Sequence, residues 1–273
     1  MQDARYDLVG IGNAIVDIIG RCDDAFLSKH DLDKGRMHLI DAKQADNLYA
    51  AMGPGTERSG GSAANTIAGF ASFGGRGAFI GRVADDQFGK VFAHDIRAIG
   101  VGYDTPPAKS GLPTALCLIF VTPDGERTMN TFLGASTELG TGEIDAKLIA
   151  AANVTYLEGY LFDKPEAKQA FRAAADIASK AGRKTALTLS DAFCVDRHRD
   201  DFRPLVQNDV DILLATATAT PALFQHNSSE QAGAAVPGAC HVAVLTRPPD
   251  GSTLRPAHQP PTANPRAVLT PPP

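Results

Sequence analysis

The chain has no tryptophan, four cysteines, no excess of positive charge and no apolar run near the length of a membrane span. Each shortage excludes something. The cysteines, Cys22, Cys117, Cys194 and Cys240, lie far apart and form no Cys-x-x-Cys pair. Neither a zinc site nor a disulfide framework is signalled, and a reduced, cytoplasmic compartment is expected. Lys and Arg number 26 against 31 Asp and Glu, for a net charge of −5. There is no electrostatic case for nucleic acid or for an anionic membrane. The chain starts Met-Gln-Asp-Ala-Arg and runs at once into apolar strand text, without the pattern of a secretory signal. What remains is ordinary globular composition, 44% hydrophobic and 21% charged over 273 residues, enough for one large α/β domain.

Strand and helix patterns alternate. Leu8–Ile11, Gly77–Ile80, Val154–Leu157 and Lys184–Leu189 read as strands. Asp24–His30, Ala42–Met52, Ala63–Phe73, Gln87–Ile99 and Pro165–Ala181 read as helices. Gly100 stops one of these helices and Pro165 opens another. This rhythm predicts a mostly parallel sheet with helices on both faces. Two stretches break it: Ile18–Gly20 with Arg36–Ile40, and a hairpin of Thr114–Val121 and Glu126–Leu133 around Asp124-Gly125, a strong turn signal. His198-Arg199-Asp200 spells the start of a protein-kinase catalytic loop, but Leu205 stands where that loop needs Asn. Arg197–Arg203 is therefore expected to be a charged, solvated segment.

The chemistry concentrates in Ser59-Gly60-Gly61-Ser62-Ala63-Ala64-Asn65-Thr66-Ile67 and Phe79-Ile80-Gly81-Arg82-Val83-Ala84-Asp85-Asp86-Gln87-Phe88-Gly89-Lys90. Paired glycines open an apolar helix, and Asn65 adds a donor and an acceptor one turn in, a set suited to a polyhydroxylated ligand. Upstream, Gly10-Ile11-Gly12-Asn13-Ala14-Ile15-Val16-Asp17 follows a buried strand. The third glycine of a dinucleotide fingerprint would fall at Ile15, so no such site is read there.

The two glycine-rich strings together resemble the ribokinase-like (PfkB) family of sugar and nucleoside kinases, and the Gly-Gly-Ser…Asn-Thr-Ile form resembles its adenosine kinase branch. The resemblance implies a ribokinase-like α/β fold: a mostly parallel sheet flanked by helices, with a small β lid. The rhythm-breaking strands, within about 18–40 and 114–133, would build that lid. It implies an ATP- and Mg²⁺-dependent phosphotransferase acting on a hydroxymethyl group of an adenosine-like nucleoside. Asn13, Asp17, Gly61, Ser62 and Asn65 would bind substrate, and Arg127, in the lid string Gly125-Glu126-Arg127-Thr128, would face phosphate. A lid suits phosphoryl transfer, which must keep water from the reacting phosphate.

The resemblance covers residues 6 to about 213 and then decays. Where the family carries Asn-x-x-Glu for Mg²⁺ and phosphate, this chain has Thr216 and Ala219. The family's Gly-Ala-Gly-Asp, source of anion hole and catalytic base, occurs nowhere in the sequence. No catalytic residue and no metal ligand is therefore assigned. Val242–Thr246 again reads as a strand, but nine of the 18 prolines lie in 248–273, which contain no aromatic residue. The expectation is a domain over 1–247, incomplete at its C-terminal end, then a proline-rich aberrant tail that adds no strand to the sheet. The expected origin of such a change is an altered reading frame or a degenerate gene copy, with a genuine short form as the alternative. The expected partners are a small nucleoside or sugar, with no nucleic acid or membrane, in a monomer or a lid-mediated homodimer. The alternatives are a fructose- or ribose-type sugar kinase, and a non-catalytic nucleoside-binding or remnant protein.

Overall fold

A computed structural model describes residues 4–225, 240–246, 251–256 and 262–264. The chain forms two compact units, one of Gly10–Ile144 and one of Met1–Val9 with Asp145–Pro273. Strand β1 (Tyr6–Ile11) passes from the second into the first.

The unit Gly10–Ile144 contains β2 (Ile15–Arg21), α1 (Asp24–Lys29), β3 (Met37–Leu39), α2 (Ala42–Ala51), β4 (Gly55–Gly60), α3 (Ser62–Ser72), β5 (Gly77–Ile80), α4 (Gln87–Ala98), β6 (Ala115–Val121) and β7 (Arg127–Phe132). Five of its strands form a sheet in the order β3-β7-β6-β2-β4. Pairs β2/β6 and β3/β7 are parallel; β2/β4 and β6/β7 are antiparallel. The expected lid strands are all here, joined by β4, which the sequence reading lacked. β5 lies beside the end of β1, where the Gly12 N–H bonds the Ile80 carbonyl at 3.2 Å.

Alternation sorts the two faces of this sheet. Val16, Ile18, Leu116, Leu118 and Phe120 are buried on the helix-covered face, where α2 packs on β6 and β7, and α4 on β2 and β4. The ring of Phe26 from α1 sits 4.8 Å from that of Phe120. Burying one such side chain contributes about 1.5–3 kcal/mol. Side-chain caps set the helix starts: Asp41 and Gln44 form a reciprocal box on α2, and Asp86 accepts from Gly89 N on α4. Asp86 also accepts from Thr114 N and Oγ1, tying α4 to the approach of β6.

The other unit continues with α5 (Ala146–Ala150), β8 (Ala152–Glu158), α6 (Pro165–Lys180), β9 (Lys184–Thr188), α7 (Ala192–Asn208), β10 (Ile212–Thr216), α8 (Ala219–Phe224), β11 (Val242–Thr246), β12 (Ser252–Pro256) and β13 (Thr262–Asn264). Its sheet runs β13-β12-β11-β10-β9-β8-β1. Strands β8 to β11 are mutually parallel, and α6 and α8 pack on them. The mostly parallel, helix-flanked α/β sheet is as the sequence predicts.

Two expectations are corrected. Arg197–Arg203, expected as a charged, solvated segment, is part of α7, and only some of its charges, such as Arg197 and Asp200, are exposed. Phe202, Leu205 and Val206 bury one side of that helix, while Arg199 Nε and Arg203 Nε donate to the carbonyls of Ala222 and Leu223. The charges masked an amphipathic helix, which bends at His198 (φ −127°) ahead of Pro204. Residues 248–273 were expected to contribute no strand, yet β12 pairs antiparallel with β11 over Ser252–Pro256, and β13 pairs with β12. The intervals between prolines are long enough for short strands, and the outer positions of a sheet tolerate flanking proline. The rest of that stretch, 247–250, 257–261 and 265–273, lies outside the described residues.

Candidate functional site

All six site residues predicted from sequence fall in the unit Gly10–Ile144. Asp17 lies mid-strand in β2, with Arg58 of β4 opposite on one side and Cys117 of β6 on the other. Its side chain lies on the sheet face opposite Val16, Ile18, Leu116, Leu118 and Phe120. Around it lie the buried residues Ile15, Ala115, Cys117 and Ile119, rimmed by half-buried Val121, Met129 and Leu133. Further out on the same face, Ile19, Met37 and Leu39 are exposed. Asp17 is thus a carboxylate set in an apolar platform. Burial pushes its carboxyl up from 3.8 to about 6, against the opposing pull of the Arg127 charge. Burial likewise pushes the Cys117 thiol up to about 11. This thiol receives a hydrogen bond from Thr131 Oγ1 at 3.3 Å and behaves as an apolar floor residue rather than a nucleophile.

The glycine pair forms one wall of this region. A methyl at Gly60 would lie 2.3 Å from Asp17 Cγ and Oδ2, so the carboxylate packs directly on the bare α-carbon. Gly61 has φ +100°, and a methyl there would lie 2.2 Å from the Asn13 carbonyl oxygen. Both positions exclude side chains, one by proximity and one by backbone conformation as well. Gly61 is the N-cap of α3, the Asn65 N–H closes the first turn onto its carbonyl at 2.8 Å, and Ser62 and Asn65 are exposed. Asn13 is the exception among the predicted contacts. It is 1% exposed, and Ser136 Oγ donates to its Oδ1 at 2.9 Å, so its side chain braces the wall from within.

Arg127 is exposed at the foot of β7, just after the hairpin turn. The turn is fixed from outside. Asp124 Oδ1 accepts from Thr122 Oγ1 at 2.6 Å, and Lys34 Nζ bridges Asp124 at 2.6 Å and Asp24 at 2.8 Å. Those bonds hold the Asp124 carboxyl down at about 2.

Sequence reasoning read Gly60 only as one of the paired glycines that open the helix, not as a site residue, and it assigned no role at the site to Cys117, Thr131 or Ser136. Alternation along Cys117-x-Ile119-x-Val121 could have placed Cys117 on the face of Asp17. Nothing local marks Ser136, which is 123 residues from its partner.

The positions aligned with the family's Mg²⁺ motif do not fit a cation. The Thr216 hydroxyl accepts the Ala219 N–H at 3.1 Å and lies 3.0 Å from that of Thr218, while Ala219 is a buried methyl. Among the described residues, no group of three His, Cys, Asp or Glu is placed to hold a metal ion, and no helix is long and apolar enough to cross a membrane. All four cysteines are free.

Comparison with known proteins agrees with this architecture. Residues 36–263 match the pfkB family carbohydrate kinase description. The solved adenosine kinase of Sinorhizobium meliloti is 48% identical, with a TM-score of 0.88 over 98% of this chain and 82% of that one. A probable sugar kinase from Rhizobium etli is also 48% identical, with a TM-score of 0.85 over 94% of this chain and 78% of that one. The probable chloroplastic fructokinase-6 of Arabidopsis thaliana is 30% identical over 151 residues, or 54% of this chain. Fructokinase-2 of Solanum habrochaites matches equally over the same length. The matches span only 39% and 46% of those two relatives. On the family match and the 48% identity over most of two solved kinases, this chain belongs to the PfkB family of carbohydrate kinases.

Proposed function

We propose that this chain carries the substrate-recognition half of an ATP-dependent phosphotransferase acting on the hydroxymethyl group of a ribonucleoside of the adenosine type, in the cytoplasm. The observation that carries the reading is the carboxylate of Asp17 set into the apolar platform of Ile15, Ala115, Cys117 and Ile119. A nucleoside presents both complements, ribose hydroxyls that donate to a carboxylate and a flat base that can cover the half-buried rim of Val121, Met129 and Leu133 around the buried platform. Ser62 and Asn65 on the exposed first turn of α3 add polar contacts, Gly61 lets the ligand approach the backbone, and Asn13 keeps that wall in place. Arg127, a planar cation beside the hairpin, suits a phosphate group. The name of the Sinorhizobium meliloti relative supports the same substrate class.

A free sugar such as fructose is the second reading, favoured by the names of the plant relatives. It has no use for the apolar platform. ATP is the donor that family membership implies. Phosphoryl transfer rests on positioning and charge stabilisation, and this sequence holds neither the family's Gly-Ala-Gly-Asp nor the Asn and Glu replaced by Thr216 and Ala219. The polypeptide is therefore proposed to bind nucleoside without appreciable turnover. Thermal melts with adenosine, fructose, ribose and ATP test the assignment, because a ligand that binds only the folded state raises its melting point. Adenosine is expected to raise it and fructose to leave it unchanged. The reverse result would replace the nucleoside reading with the sugar reading, and no cooperative melt at all would mark the chain as a remnant.

A further inference from the structure

Strand β4 is an edge of its sheet, paired with β2 on one side only. Such a strand frays unless its outward groups are held. Its last residues carry the wall described above, and the tolerance there is small: Gly60 lies against Asp17, and Gly61 against the Asn13 carbonyl. One side chain secures the outward edge at that point. Asp95 Oδ2 accepts the Ser59 N–H at 2.7 Å and the Ser59 hydroxyl at 2.9 Å, while Oδ1 lies 3.7 Å from the Arg58 guanidinium. Asp95 stands on α4, which Asp86 fastens at its other end to Thr114. The helix is thus a strut running from the approach of β6 to the end of β4.

Asp95 also lines an open groove of about 710 Å³ between β4 and α4, with Glu57, Arg58, Gln87, Lys90 and His94. The lining holds two cations, Arg58 and Lys90, and two carboxylates, Glu57 and Asp95, so the groove selects no ligand by net charge. Its consequence is that the Asp95 carboxylate is partly solvated, 22% exposed, while its two bonds to Ser59 are short and charge-assisted.

We propose that Asp95 is a positioning residue for the substrate wall: by clamping Ser59 from behind, it sets where Gly60 and Gly61 stand and hence where the Asp17 carboxylate points. This rests on the reading of Asp17 and Gly61 as substrate contacts, but its structural content is measurable without any ligand.

The test uses the full chain with Asp95→Ala, Asp95→Asn and Ser59→Ala, followed by NMR. In Asp95→Ala, the Ser59 amide is expected to exchange about tenfold faster or more. The Gly60 and Gly61 resonances shift, and the Asp17 titration midpoint falls from about 6 toward 3.8 as the carboxylate gains water. Asp95→Asn keeps an acceptor oxygen and restores most of the wild-type pattern. Ser59→Ala removes only the hydroxyl bond and gives an intermediate effect, which also keeps the test decisive if Asp95→Ala does not fold. A change in melting point with unmoved Gly60 and Gly61 resonances and an unmoved Asp17 midpoint would show a merely structural role and overturn the proposal. Adenosine titrations on the same samples are expected to show about tenfold weaker binding in Asp95→Ala. A wild-type chain that ignores nucleosides would sink the proposed function while the ligand-free measurements still decide the role of Asp95.

Discussion

The carboxylate of Asp17 rests on the α-carbon of Gly60, close enough that a single methyl would overlap three of its atoms, at 2.3, 2.3 and 2.5 Å. Gly60→Ala must therefore move Asp17 or spread β4 from β2. Overpacking of this kind typically costs about 1–3 kcal/mol. The expected outcome is a chain that still folds, melts a few degrees lower, and has lost nucleoside binding by an order of magnitude or more. Calorimetric titration beside a denaturant melt separates the two effects. Unchanged affinity would show that the position of Asp17 does not matter to the ligand.

Asp17 also predicts a pH dependence with a definite sign. Its folded value of about 6 lies above its ordinary 3.8 because burial disfavours the anion. The folded chain takes up this proton more readily than the unfolded chain, so ionisation removes stability. The loss begins as pH rises past 3.8 and is complete above 6, and it amounts to at most about 3 kcal/mol. Asp17→Asn should therefore raise the melting temperature at pH 7 and flatten its pH dependence between 4 and 6, while binding is lost. Nucleoside affinity in the wild type should climb from pH 5 to pH 7, since the anion is the stronger acceptor of ribose hydroxyls. A melting curve for Asp17→Asn that follows the wild type at every pH would contradict the burial of this charge.

Lys34 fastens the hairpin that carries Arg127. Lys34→Ala removes both of its ion pairs, and the Asp124 carboxyl, now held at about 2, should titrate nearer 3.8. The folded value of Asp124 lies below the ordinary one, so its contribution is present above pH 3.8 and fades as pH falls toward 2. Both groups face solvent, and global stability should change little. The expected signal is faster exchange of the Gly125 amide, read by NMR.

Turnover gives a fourth check. Purified chain with ATP, Mg²⁺ and adenosine should form no measurable nucleoside monophosphate. A positioned base alone contributes on the order of 10²–10⁴-fold, and stabilisation of the transferring group often contributes as much. Robust turnover would mean that residues other than those of the family motif perform both tasks.

Much of the architecture was legible in the sequence because it rests on local signals. The hairpin announced itself through Asp124-Gly125, α6 through Pro165, and the strands of the five-stranded sheet other than β4 through their break with the βαβ rhythm. Edge strand β4 was not legible. Its text, Gly-Thr-Glu-Arg-Ser-Gly, is polar and pairs on one side only, so it carries no apolar run. Helix α7 was hidden by its charges, since its apolar residues Phe202, Leu205 and Val206 sit beyond a bend. At the site, Asp17, Gly61 and Asn65 could be named because they are close in sequence to a recognisable string. Ser136 and Asp95 could not, because each acts on residues far along the chain through the packing of other elements.

The outermost strands of the parallel sheet carry one more implication. β13 is three residues long, and the sequence places Pro261 just before it and Pro265 just after it. Neither proline offers an amide hydrogen, so the segment is a poor template for a further strand. A stretch that looks like damage in the amino-acid text thus works as a growth stop. It makes runaway sheet-to-sheet addition at this margin unfavourable, while Ile19, Met37 and Leu39 expose an apolar patch on one face of the other sheet.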